Sequence, residues 1–199
     1  AQECRSVDSL VILSTEGRAF TLAVASLPDG RGMGAPLSSF VELGTGKIGH
    51  VLTGQPEDEL LVAKTSGYGF ICTYADLLSR QKAGKAFLSV EEGATILPPL
   101  RLAGKDHLAA LSEDGRLLIF PLEQMKRLSA GKGVQIIGLH DDESLRAVVA
   151  IQGDRVTIKG MFRNRIKTLL SEDRHLGQRA RRGSPVGQLG QVTLAAYPE

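Results

Sequence analysis

"LLVAKTSGYGFICTY", residues 60–74, decides how the chain folds. An apolar run ends at Ala63, and three polar residues lead to Gly67. Beyond it Phe70, Cys72 and Tyr74 stand three, five and seven positions on. Alternation with period two places those side chains on one face of an extended strand. Strand, glycine turn and strand together read as a β-hairpin.

The pattern recurs. "LVILSTEG" ends at Gly17, "HLAALSEDG" at Gly115 and "AVVAIQG" at Gly153, so the spacings between successive glycines are 50, 48 and 38. Three positions after each glycine stand Phe20, Phe70, Leu118 and Val156; five after, Leu22, Cys72, Phe120 and Ile158. A polar, glycine-rich loop follows, then more apolar residues, as in "PLSSFVEL", "AFLSVEEGATILPPL" and "VQIIGL". A unit of four strands in roughly 40–50 residues has the size of a propeller blade. We therefore expect one all-β domain of about four four-stranded blades, at 9–58, 59–106, 107–152 and 153–199. The last copy is the weakest, with Arg163 where the others have Leu27, Leu77 and Met125. Helical repeats are disfavoured by 23 Gly and 8 Pro and by the lack of a long 3.6-residue period. Residues 74–79 and 123–128 read as turns after a hairpin.

At 42% hydrophobic, without Trp, the chain builds an aliphatic core. No apolar run has the length of a membrane span. Lacking an initial Met and opening close to a strand, it reads as a fragment of a longer polypeptide. Cys4 and Cys72 do not make a secreted disulfide framework, and Cys72 reads as a buried strand thiol, so a reducing cytoplasm is expected. The net charge of +2 is uneven. Residues 1–60 carry four basic and eight acidic side chains, a balance of −4; residues 131–199 carry eleven and seven, +4. Such local concentration matters to a polyanion more than the total does.

The glycine-rich loops "LPDGRGMGAPL", "RQKAGKAFL" and "SAGKGVQII" suggest a phosphate cradle, but the context of one is missing. "AGKA" and "AGKG" lack a Ser or Thr after Lys, the spaced preceding Gly and a following helix. The glycines read instead as turn residues with positive φ. His50, His107, His140 and His175 show no metal-ligand spacing, and "HDDE" (140–143) reads as a polar connection. No G-x-S-x-G elbow appears. No catalytic residue or metal ligand is assigned.

Residues 66–100, "SGYGFICTYADLLSRQKAGKAFLSVEEGATILPPL", strongly resemble the C-terminal domain of the A subunit of bacterial topoisomerase IV. Residues 17–37 and 113–139 look like the neighbouring units, and the related gyrase A domain is the close alternative. The resemblance implies a β-pinwheel, a bladed fold whose blades exchange strands, that binds and bends duplex DNA on a basic rim. It implies a non-catalytic part of a bacterial type IIA enzyme, cytoplasmic and at the nucleoid. Its partners would be the ATPase B subunit and the catalytic part of the same polypeptide. No cofactor is expected in this domain, ATP and Mg belonging to the parent enzyme, and the isolated fragment is expected to be monomeric. Tyr68 is set aside as a nucleophile, since the family's catalytic Tyr lies in another part. Gyrase carries a wrapping heptapeptide, Q-[KR]-R-G-G-[KR]-G. "QRARRGS" (178–184) is a degenerate version, with Ala180 for Arg and Arg181 and Arg182 in place of the central glycines. It favours topoisomerase IV and weak wrapping.

Cations recurring at matching loop positions would form a band along bent DNA, contacting phosphates without reading bases. Arg31, Lys82, Lys85 and Lys132 lie in the corresponding loops. Arg80, Lys126 and Arg127 precede them. Arg163, Arg165, Arg179, Arg181 and Arg182 extend the band. Arg18, Tyr68 and Arg116, each next to a turn glycine, read as exposed hairpin tips ranking below the loops. Arg5, Arg101, Lys105 and Arg146 read as solvated surface. A protein-interaction propeller is the alternative from another class.

Overall fold

The structure, a computed structural model, describes residues 5, 8–28 and 32–197. The first unit holds β1 (Ser9–Ser14), β2 (Arg18–Ala23) and β3 (Ile48–Thr53). The second holds β4 (Glu59–Ala63), β5 (Tyr68–Thr73), a short helix α1 (Tyr74–Leu77), β6 (Lys85–Ala86) and β7 (Leu100–Arg101). The third holds β8 (His107–Ser112), β9 (Arg116–Pro121), β10 (Val134–Gln135) and β11 (Leu145–Ile151). The fourth holds β12 (Val156–Phe162), β13 (Arg165–Leu170), β14 (Ser184–Pro185) and β15 (Gly190–Ala196).

The strands form four sheets in the orders β3-β1-β2-β6, β10-β5-β4-β7, β11-β8-β9-β14 and β13-β12-β15. Three of them close one edge with a two-residue strand supplied by the next unit. Before that strand, the chain leaves its hairpin through a helical turn and runs beside the preceding sheet, where Arg127 bridges Ile71 and Leu176 bridges Ile119. The result is the strand exchange of a pinwheel. Thr73 caps α1: its hydroxyl accepts from the Asp76 N–H, while Asp76 accepts from the Thr73 N–H.

Period two also explains the packing. Leu60, Val62, Phe70 and Cys72 face the first sheet, while Leu61, Ala63 and Ile71 face the third. In the third sheet Ala109, Leu111, Leu117 and Ile119 turn to the fourth. Middle strands are thus buried on both faces, which accounts for near-continuous apolar runs such as "LLVA" and "LLIF". Phe70 and Phe87 meet with ring centroids 5.5 Å apart. Each such buried side chain stabilises the fold by about 1.5–3 kcal/mol. The outer face of the first sheet is covered by its own unit, through Val41 and the half-buried Leu37 and Leu43.

The fourth hairpin is not the one expected at Gly153. The run before that glycine is β11, which pairs with β8, so Gly153 joins two sheets instead of two strands of one. The fourth hairpin is β12–β13, and Arg163 and Asn164 form its two-residue turn with φ of 47° and 61°. Asn tolerates the left-handed region, so the turn needs no glycine. Asn164 stands 49 residues after Gly115 (164 − 115), which restores the spacing of the other units.

One position separates the second unit from its neighbours. Ser14 and Ser112, buried at the end of their hairpins' first strands, accept from the N–H of Arg18 and Arg116 at 3.1 and 3.3 Å. The equivalent Lys64 is fully buried. Its ammonium donates to the Ser89 carbonyl at 2.6 Å and to the Glu91 carboxylate at 2.9 Å. Burial pushes the Glu91 carboxyl up, but hydrogen bonds led by that from Lys64 outweigh it and hold the group at about 2.

Candidate nucleic-acid interface

The glycine-rich loops carry the exchanged strands. Gly84, Gly133 and Gly183 immediately precede β6, β10 and β14, with φ of 63°, 86° and 70°. A Cβ at these positions would lie 2.7 Å from the Ala19 carbonyl oxygen, 2.4 Å from that of Gly69 and 2.6 Å from that of Leu117. The glycines are needed for backbone to approach backbone, not to cradle a phosphate.

Arg18, Tyr68 and Arg116 are not free hairpin tips. Arg18 donates to the carbonyls of Ala83 at 2.7 Å and Gly84 at 3.0 Å. Arg116 donates to the Gly183 carbonyl at 3.1 Å. Lys132 stands over the Tyr68 ring, 4.4 Å from its centroid. The first residue of each of these second hairpin strands holds the loop that the next unit lends.

The cations of the expected band divide into two groups. Arg80, Lys82, Lys126, Arg165 and Arg181 are exposed and have no side-chain hydrogen bond or ion pair among the described residues. Arg163, also exposed, lies over the Phe162 ring at 5.1 Å, and Lys85 is half-buried in β6. The others are engaged. Arg127 makes two bonds to the Glu59 carboxylate, at 2.7 and 3.3 Å. Lys132 lies 3.4 Å from Glu91. Arg179 is half-buried and donates to the carbonyls of Gln124 and Gln135 at 2.8 and 2.6 Å. Arg182 pairs with Glu143, binds the Gly138 carbonyl at 3.1 Å and meets Asp114 at 3.3 Å. Arg31 lies outside the described residues. Within "QRARRGS", then, Arg181 alone presents an unengaged charge among the described contacts. Of the cations read as surface, Arg5, Arg101 and Arg146 pair with Asp8, Asp58 and Glu113.

The neutralising acids escape a reading of the sequence because they are distant in the chain: Glu59 is 68 residues from Arg127, and Glu143 39 from Arg182. Lys167 is a further cation of the fourth unit, missed by the loop pattern although its strand period makes it legible. It is exposed, 5.6 Å from the Phe162 ring, and shares the period-two face of Arg165 on β13.

Against solved structures, the fold is similar to the Escherichia coli ParC C-terminal domain, with a TM-score of 0.87 and 30% identity over 96% of this chain and 82% of that one. The chain belongs to the family of C-terminal domains of the topoisomerase IV A subunit. The A subunit of DNA topoisomerase 4 from Salmonella typhimurium is 32% identical over 94% of this chain, and that from Haemophilus influenzae 35% over 90%. The chain spans about a quarter of the length of these curated relatives, 26% and 25%. A DNA gyrase A C-terminal domain shares the fold, with a TM-score of 0.69 at 16% identity. The family described as DNA gyrase C-terminal domain, beta-propeller, matches residues 106–152.

Residues 106–152 cover β8 to β11, the third unit of this topoisomerase IV domain. Among the described residues no helix is long and apolar enough to cross a membrane.

Proposed function

We propose that this topoisomerase IV domain binds a duplex DNA segment through its unengaged cations and holds it curved. It thereby helps select the segment that the parent enzyme passes. The domain does no chemistry of its own; ATP, Mg, the catalytic part of the polypeptide and the ATPase B subunit belong to that parent. The observation that carries the reading is a recurrence. Lys82 and Arg181 stand two residues before Gly84 and Gly183, at the same edge of the first and third sheets, and both lack a partner among the described residues; the second sheet has Gly131 there, with Lys132 next to it. Arg80 and Lys126 precede the loops in their units.

Equivalent positions on alternate sheets repeat a charge along a path, which suits a phosphate backbone and reads no bases. Bending a site of 20–30 base pairs costs on the order of 1–6 kcal/mol, so several contacts must act together. Internal pairing of Arg127, Lys132 and Arg182 keeps the affinity modest. The test is fluorescence anisotropy of labelled duplexes of unrelated sequence, titrated with the 199-residue chain at several salt concentrations. Binding that falls steeply with salt and is alike across sequences supports the reading. No binding at low salt overturns it and favours a protein-interaction propeller.

A further inference from the structure

Arg179 and Arg181 flank a strained turn. The Arg181 N–H donates to the Gln178 carbonyl at 3.2 Å, closing a β-turn over residues 178–181. Ala180, its third residue, has φ of 67°. In a type II turn that position needs a positive φ, which glycine ordinarily supplies. The loop that enters the second sheet has the glycine. Gly131, with φ of 125°, donates to the Phe87 carbonyl at 2.8 Å, as Ala180 donates to the Ile136 carbonyl at 2.9 Å. Phe87 and Ile136 each directly follow a lent strand, β6 and β10, so the two bonds are equivalent. A residue with a side chain persists at such a φ only where its surroundings over-determine it.

Arg179 supplies that restraint. Its own N–H donates to the side-chain amide oxygen of Gln124 at 2.7 Å. Its Nε donates to the Gln124 carbonyl at 2.8 Å and its Nη1 to the Gln135 carbonyl at 2.6 Å. Gln124 ends the helical turn that follows β9, and Gln135 lies in β10, which is paired into the second sheet. One half-buried residue thus ties the turn both to the exit of the third hairpin and to a strand of the second sheet. Arg80 stands four residues before Gly84 as Arg179 does before Gly183, yet it is exposed and ties nothing among the described residues.

We propose that Arg179 is a positioning residue: it holds the turn at Ala180 so that Arg181, the exposed cation beside it, is fixed for a DNA phosphate. The proposal rests on the DNA reading above, and it takes Arg179 out of the expected band of phosphate contacts. Its Nε and Nη1 are committed to carbonyls inside the fold. Fixing the backbone matters because a cation on a loose loop loses conformational freedom when it binds, and one on an ordered turn loses less.

The experiment measures duplex binding by anisotropy against salt concentration for the 199-residue chain and three variants. These are Arg181→Ala, and Gln124→Ala and Arg179→Ala each with and without Arg181→Ala. Arg181→Ala should lower the slope of log Kobs against log salt by about 0.9. Gln124→Ala removes no charge, yet it should weaken binding where Arg181 is present and change nothing where Arg181 is absent. Arg179→Ala should add no slope loss to that of Arg181→Ala. Urea melts check that each variant is folded; if Arg179→Ala is not, Gln124→Ala decides the question alone, since it keeps the guanidinium. Amide exchange gives a readout without DNA: the Ala180 N–H should exchange faster in Gln124→Ala than in the wild type. A further slope loss of about 0.9 on adding Arg179→Ala makes Arg179 a phosphate contact and overturns the proposal. So does a Gln124→Ala variant that binds as the wild type does, that weakens binding equally in both backgrounds, or that leaves Ala180 exchange unchanged. An Arg181→Ala variant without effect also overturns it, while DNA binding by the other cations stands. A wild type that does not bind overturns the DNA reading itself, and this proposal with it.

Discussion

Arg182 pairs with Glu143, whose side chain is only 2% exposed, and the same guanidinium binds the Gly138 carbonyl and Asp114. Arg181, the neighbouring residue, is exposed and makes no side-chain bond among the described residues. Two adjacent arginines therefore have opposite roles. Arg182→Ala leaves a buried carboxylate without its cation and should cost about 1–3 kcal/mol of stability, read from urea melts. Arg181→Ala should leave stability within about 0.5 kcal/mol and weaken DNA binding instead. Equal stability losses from both would contradict the assignment.

Glycine substitutions should separate a glycine packed on backbone from one facing open space. Gly84→Ala places a Cβ against the Ala19 carbonyl at a φ of 63°, whereas Gly34→Ala meets nothing at 76°. Both incur the left-handed penalty of about 1–2 kcal/mol. Gly84→Ala alone adds a backbone clash that displaces β6, so its melting midpoint should fall further and exchange at Ala19 should quicken. The two variants melting together would show that β6 is not held as described.

Two acids make the fold sensitive to low pH. Burial pushes the Glu143 carboxyl up, but the polar Ser112 hydroxyl, together with hydrogen bonds from Arg182 and the His140 N–H, outweighs it and holds the group at about 2, as Glu91 is held. A carboxyl depressed in the folded state contributes stability that is complete above its ordinary value of 4.5 and is lost as pH falls from there toward 2. Stability measured from about pH 6 down to about 2 should drop across that window, and Glu143→Gln should flatten the drop. A variant with the wild-type slope would place the sensitivity elsewhere.

Cys72 should be inert in the native protein. Burial pushes its thiol up to about 12, so almost no thiolate forms at neutral pH. Alkylation at about pH 8, mapped by mass spectrometry, should find Cys72 unmodified until denaturant is added; rapid native labelling would contradict its burial.

Much of the fold was legible in local pattern. Alternation around Gly17, Gly67 and Gly115 specifies three hairpins because strand period and turn glycine are properties of neighbouring residues. The fourth hairpin misled because Gly153 follows an apolar run as a hairpin glycine does, while the true turn at Arg163 and Asn164 takes positive φ without glycine. The exchange of β6, β10 and β14 rests on two-residue strands, too short to carry a period. The candidate interface was legible only as a set of charges. Pairing with Glu59, Glu91 and Glu143 depends on tertiary distance, and it leaves Arg127, Lys132 and Arg182 engaged with acids instead of free.

The central claim is that the unengaged loop cations carry the DNA. Its most direct test is the slope of log Kobs against log salt for the wild type and for a variant with Arg80, Lys82, Lys126 and Arg181 changed to Ala. Each lost phosphate contact lowers the slope by about 0.9. The account predicts a drop of about 3 to 4 with the fold intact. An unchanged slope would contradict it and place the DNA on another face.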